Sequence, residues 1–247
     1  MNNTIDKSNM YQAIYEFPNH IKNSFEKFDD SCQITNKTKY YDIKSIIILG
    51  MGGSAVSGLL IKEILDREIK TPIHVNRNYT IPNWANEKTL IIASSYSGNT
   101  EETLISCQKC IDKKLKIIGF STGGELLTLL DNNGYNDFVK LPEGLQPRAA
   151  LGYSFSLMML LLNKIDIVDK NIINDLKNSV NPLLSLREEY ANLNNKENLA
   201  YIISNKIYDK IPIIYGEEGI YNAIAYRIKC QLEENSKLLH LIMLCQR

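Results

Sequence analysis

Histidine is scarce in this chain of 247 residues: there are three, His20, His74 and His240, too scattered to assemble a metal cluster. A charge excess is also missing. Lys plus Arg and Asp plus Glu number 28 each, so nothing steers the chain toward nucleic acid or an acidic surface. No signal peptide is evident, and the most apolar stretch, residues 149–162, is about fourteen residues long, too short to span a bilayer comfortably. It reads as a buried helix or a subunit interface, and a homodimer is expected. Low-complexity tracts and short internal repeats are absent. The five cysteines, Cys32, Cys107, Cys110, Cys230 and Cys245, are scattered, which suits a reducing cytoplasm. Cys107 and Cys110 form a C-x-x-C, but no second pair exists and both fall near the inward stripe of a helix, so buried thiols are expected rather than zinc or a redox pair. No metal and no cofactor are expected.

Two segments carry the chemistry. The apolar run Ser45-Ile46-Ile47-Ile48-Leu49 leads into Gly50-Met51-Gly52-Gly53-Ser54, and Leu90-Ile91-Ile92-Ala93 leads into Ser94-Ser95-Tyr96-Ser97-Gly98-Asn99-Thr100. Each run is short and bounded by small residues, as in a strand covered on both faces. Val56, Leu59, Leu60 and Ile64 recur at helical spacing after the first, and Gly58 allows close packing on the sheet. After the second, Asn99 with Glu102 is expected to form a capping box, while Leu104, Cys107 and Ile111 face inward. Both turns therefore sit at helix N-termini, where unpaired backbone N–H groups and the helix dipole bind anions. Hydroxyls at Ser95, Ser97 and Thr100 can donate to phosphate oxygens there, and no lysine is required. Two other readings exist. Serine and threonine at a helix start can be caps alone. Gly50, Gly52 and Ala55 also approach the dinucleotide pattern, but the chain has Ile73-His74-Val75-Asn76-Arg77 where that pattern wants an acid, and Arg77 would suit a 2′-phosphate.

The segments GMGGS and SSYSGNTEET resemble the sugar isomerase (SIS) domain. Gly144-Leu145-Gln146-Pro147-Arg148-Ala149 and Gln231-Leu232-Glu233-Glu234-Asn235-Ser236-Lys237 are similar to the bifunctional phosphoglucose/phosphomannose isomerases, over residues 10–237. The resemblance implies an α/β fold of the flavodoxin-like three-layer kind with a parallel sheet flanked by helices, a helical linker and a second SIS domain. It implies aldose–ketose isomerisation of glucose 6-phosphate or mannose 6-phosphate to fructose 6-phosphate through a cis-enediol. Gly53, Ser54, Ser95, Ser97 and Thr100 would hold the phosphate, Arg148 would stabilise the enediolate, and Glu234 would move the proton between C2 and C1. The residue types fit: abstraction beside a carbonyl needs a base of moderate pKa, and a guanidinium stays protonated beside a developing oxyanion. Taken by themselves, Glu234 reads as a solvated acid on an amphipathic helix with Arg227, Lys229, Glu233 and Lys237, and Arg148 as a surface-loop residue.

The tail departs from the family. The relatives continue into a Pro-Glu and then a His-Asn-Glu segment whose histidine assists ring opening, and later supply a lysine; this chain reads Leu238-Leu239-His240-Leu241-Ile242-Met243-Leu244-Cys245-Gln246-Arg247. His240 does not occupy the family histidine's position. Permitted codons read two bases later give Thr-Pro-Phe-Asn-Asn-Val-Met-Pro-Glu, similar to the family sequence. The expectation is a single-base insertion or deletion near codon 238 that truncates the second domain and impairs activity. The expected organisation is an N-terminal helical segment over 1–40, with a helix over 11–28, a first SIS domain over 41–165, a helical linker over 166–208, and the start of a second SIS domain over 209–247. Further strands are expected at 73–76, 115–120, 137–141 and 211–216, and a helix at 221–236. The competing class is a non-catalytic SIS module that binds a phosphosugar as sensor or partner.

Overall fold

The computed structural model describes residues 6–192, 194–236 and 241–245, and the chain divides into two compact units after Lys177. In the first unit α1 (Met10–Tyr15) and α2 (Phe17–Ser31) replace the single helix expected over 11–28. The break follows from Pro18: its ring and missing N–H are tolerated in a first turn, not in a helix interior. A short edge strand β1 (Cys32–Gln33) and a 3₁₀ turn (Lys37–Tyr40) come next. Strand and helix then alternate as β2 (Ser45–Leu49), α3 (Gly52–Leu65), β3 (Ile73–Asn76), β4 (Thr89–Ser94), α4 (Glu101–Asp112), β5 (Lys116–Ser121), α5 (Gly124–Asn132) and β6 (Phe138–Lys140). A 3₁₀ turn (Pro147–Ala149), α6 (Leu151–Lys164) and α7 (Lys170–Asn178) follow.

The sheet has six strands in the order β1-β6-β5-β4-β2-β3. All neighbours are parallel except β1, which runs antiparallel to β6. Without that edge strand the order is the flavodoxin-like one, with the reversal between β2 and β4. Alternation along each strand sends Ile46, Ile48, Leu90, Ile92, Ile118 and Phe120 to one core, closed by α3 and by Leu157 to Leu162 of α6. Ile47, Leu49, Ile91, Ala93 and Ile117 go to the other, against Cys107, Cys110 and Ile111 of α4 and Leu126 and Leu130 of α5. Three layers result, and each fully buried aliphatic side chain contributes about 1.5–3 kcal/mol.

Two local expectations change. In α3 Val56 is buried as expected, Leu59 and Leu60 are half-buried and Ile64 is exposed, while Ser54, Ala55, Ser57, Gly58, Ile61 and Leu65 are buried as well. Small residues open the buried face because the helix lies close to the sheet: a Cβ at Gly58 would come within 3.1 Å of Ile48 Cγ2. The capping box does not form. Thr100 is the N-cap of α4 without a side-chain cap bond, and Asn99 Oδ1 instead accepts from the Glu125 N–H at 2.9 Å. The thiols of Cys107 and Cys110 are fully buried, and burial pushes each up to about 12, as inert core cysteines require.

The second unit contains α8 (Val180–Ala191), α9 (Leu199–Ile207), β7 (Ile213–Glu217), α10 (Ile220–Ser236) and β8 (Leu241–Cys245). Asn198, buried at the N-cap of α9, joins the first two helices: its Nδ2 donates to the carbonyls of Glu189, Tyr190 and Asn192, and its Oδ1 accepts from the Ala200 N–H. β7 and β8 are parallel, pairing Ile213 with Leu241 and Tyr215 with Met243. Those side chains share one sheet face and are all exposed, whereas α10 packs closely enough on Gly216 that a Cβ there would lie 2.9 Å from the Tyr221 carbonyl.

Candidate functional site

Adjacent parallel strands at the reversal of strand order leave their carboxyl-end loops around one crevice. Here these are the loops after β2 and β4. Gly50 is where the two strand ends crowd: a Cβ would lie 3.1 Å from the Ser94 carbonyl oxygen. Gly52 then opens α3 with φ +50°, and Ser54, on the first turn, reaches across to the second loop. Its Oγ accepts from the Tyr96 N–H at 3.2 Å. In that second loop Ser95 Oγ lies 2.8 Å from Thr100 Oγ1, the Gly98 N–H donates to Ser95 Oγ at 3.1 Å, and the Asn99 N–H donates to Ser97 Oγ at 3.2 Å. Ser54 and Ser95 are buried, Thr100 is half-buried and Ser97 is exposed. The first amides of α3 and α4 lack intrahelical partners by geometry and add their dipoles to the same crevice. Four hydroxyls and two helix starts thus form one cradle, without a cationic side chain in either loop.

Gly53 belongs to this arrangement for a steric reason. A Cβ on it would stand 2.8 Å from the Pro147 carbonyl oxygen and 3.4 Å from the Arg148 N. The first loop thus has the turn that carries Arg148 packed directly on its backbone. Arg148 is half-buried.

Sequence reasoning missed the third βα loop, which braces the second. Thr122 donates to the Tyr96 carbonyl through its N–H at 3.1 Å and its Oγ1 at 2.8 Å, and the Leu126 N–H donates to the Gly98 carbonyl at 2.8 Å. Gly98, with φ +73°, is so close that a Cβ would overlap the Gly123 carbonyl oxygen. The signal was present: Ser121-Thr122-Gly123-Gly124 at the end of β5 repeats the strand, hydroxyl and glycine composition of the other two openings.

A bifunctional phosphoglucose/phosphomannose isomerase of Caldicellulosiruptor bescii is 40% identical over 229 residues, 92% of this chain and 66% of the relative. The chain belongs to the bifunctional phosphoglucose/phosphomannose isomerase family. The family member of that name from Thermoplasma volcanium is 35% identical over 86% of this chain and 62% of its own length, so the chain spans somewhat under two thirds of these family members. Residues 196–243 match the bacterial phosphoglucose isomerase C-terminal SIS domain. The fold is the α/β SIS fold: the C-terminal domain of glucosamine-fructose-6-phosphate aminotransferase from Francisella tularensis superposes with a TM-score of 0.70 at 19% identity, covering 95% of this chain and 70% of that one. The dinucleotide alternative drawn from Gly50, Gly52 and Ala55 gains nothing from these relatives. In isomerase-family terms, five of the expected residues and Arg148 lie in the first unit, between positions 53 and 148. Glu234 lies in the second unit, on α10, half-buried. On the same helix burial lowers the Arg227 guanidinium, an effect that the Glu234 carboxylate opposes. Among the described residues no helix is long and apolar enough to cross a membrane.

Proposed function

We propose that this protein isomerises glucose 6-phosphate and mannose 6-phosphate to fructose 6-phosphate through a cis-enediol. The observation that carries the reading is the cradle of hydroxyls from Ser54, Ser95, Ser97 and Thr100 with the Arg148 turn against Gly53. Such a cradle binds a phosphomonoester dianion by backbone amides and hydroxyls and leaves a guanidinium to face the far, reacting end. The relatives' names support the substrate class: besides the isomerases, a D-glucosamine-6-phosphate 4-epimerase of Sulfolobus acidocaldarius is 29% identical over 195 residues, and a phosphorylated sugar is common to both.

In the proposed reaction the phosphate is anchored first, and its binding energy holds the open-chain sugar. Glu234 takes the proton from C2 of the aldose, the electron pair moves to the carbonyl and the enediolate oxygens gather beside Arg148. The O2 proton passes to O1, and the same carboxyl returns its proton to C1 as the C2 carbonyl forms, giving the ketose. Positioned proton transfer of this kind contributes about 10²–10⁴-fold.

Fructose 6-phosphate is expected to raise the melting temperature while fructose does not, and Ser97→Ala with Thr100→Ala together abolish the shift. Deuterium from heavy water enters C2 of glucose 6-phosphate, and Glu234→Gln stops it. A melting shift without exchange at any substrate concentration would leave a phosphosugar-binding module and remove the isomerase.

A further inference from the structure

We infer that Tyr96 is a positioning residue that sets Arg148 relative to the phosphate cradle. The inference rests on the isomerase reading above. The two ends of Tyr96 serve different parts of the site. Its main chain belongs to the cradle: the N–H donates to Ser54 Oγ at 3.2 Å, and the carbonyl accepts from Thr122 N–H and Oγ1 at 3.1 and 2.8 Å. Its side chain belongs to the segment that delivers Arg148. The phenol donates to the Pro142 carbonyl at 2.8 Å and accepts from the Leu145 N–H at 3.0 Å.

That segment needs the tie. Between the end of β6 at Lys140 and the turn that begins at Pro147 it has no helix or strand, and Gly144 sits at φ +92°. The Lys140–Glu143 ion pair across it, at 3.8 Å with both side chains exposed, adds little rigidity. Tyr96 instead grips it at both ends from a half-buried position, and the next fixed point is Pro147 against Gly53. A phenol has one proton, and here it is committed to Pro142, so the hydroxyl holds the loop rather than donating to substrate. Burial also pushes the phenol above its ordinary range, which keeps that donor protonated.

The consequence is a division of labour within one residue. Tyr96→Phe keeps every main-chain bond of the cradle and releases residues 142–145, so the phosphate site survives while Arg148 loses its register. Loss of one half-buried hydrogen-bonding hydroxyl, followed by a displacement of the guanidinium, lowers affinity at the reacting end by about tenfold.

The test compares two probes on the full chain, neither of which needs turnover. Inorganic phosphate reports the cradle; 5-phospho-D-arabinonate adds a carboxylate where the enediolate oxygens form. In Tyr96→Phe the affinity for phosphate stays within about twofold and that for the arabinonate falls about tenfold; in an Arg148→Ala background the same change leaves arabinonate affinity within about twofold. Where turnover is measurable, kcat falls and KM holds. Equal losses for both probes, or additive losses in the double variant, would overturn the role of Tyr96 while leaving the isomerase reading intact. Failure of the unmodified chain to bind either probe overturns that reading and this inference with it, and arabinonate binding no tighter than phosphate overturns the part given to Arg148 in both.

Discussion

Gly53 has a steric role apart from any contact with a ligand. Its neighbours are the carbonyl of Pro147 and the amide of Arg148, and a methyl group there would collide at 2.8 Å. Gly53→Ala is therefore expected to cost about 1–3 kcal/mol through overpacking and to reduce isomerisation more than phosphate affinity, as urea unfolding and steady-state kinetics would read. The sequence marked Gly53 only through its family position; the reason lies about ninety residues further along the chain. His20 makes a second residue-scale case. It is buried, stacks on Tyr153 with ring centroids 4.5 Å apart, and its Nδ1 has no hydrogen-bond partner. Burial holds the imidazole below the usual 6.5, against the opposing pull of Glu16. The unfolded chain takes up this proton near pH 6.5 and the folded chain resists it, so the stabilisation is full above that value and drains as pH falls below it. Stability measured from pH 7 to 5 should decline less steeply in His20→Phe than in the unmodified chain; an unchanged slope would remove His20 as its cause.

At the scale of elements, the sheet was legible because parallel strands buried on both faces are written as unbroken apolar runs. β2 and β4 appear in the sequence as Ser45-Ile46-Ile47-Ile48-Leu49 and Leu90-Ile91-Ile92-Ala93. The two hydroxyl-rich turns were legible for the same local reason. What could not be read were the ties between loops. Asn99 abandons its own helix for the Glu125 amide on α5, and Tyr96 reaches Pro142 and Leu145; long-range bonds from one side chain to distant backbone leave no period in the sequence. Gly98 is the most exacting point of this bracing. Its φ of +73° already disfavours a side chain, and a Cβ would overlap the Gly123 carbonyl oxygen. Gly98→Ala is expected to cost at least about 2 kcal/mol and to abolish the melting shift by fructose 6-phosphate, whereas Gly134→Ala, also at positive φ but with open space around it, should lose stability without losing that shift.

The residues proposed to hold the phosphate, and Arg148, fall within one of the two units. Gly53, Ser54, Ser95, Ser97, Thr100 and Arg148 all precede Lys177, in a unit with a core on each sheet face. The second unit leaves Ile213, Tyr215, Leu241 and Met243 exposed on one side of β7 and β8, an apolar face of the sort that promotes association. A chain ending at Lys177 should therefore fold, bind inorganic phosphate as the full chain does, and remain monomeric at concentrations where the full chain associates, as sedimentation and calorimetry would show. Loss of phosphate binding in the shorter chain would mean that the cradle depends on the second unit.

Neither hydroxyl-rich turn, 50–54 or 94–100, contains a lysine. Amide N–H groups and serine or threonine hydroxyls do not titrate in the physiological range, so a phosphate held there as proposed would meet the same protein groups at pH 6 and pH 8. The only proton that counts there is the ligand's own, lost near pH 6 as a phosphomonoester becomes a dianion. Anchoring of a sugar phosphate there would then follow the acidity of its environment through the metabolite.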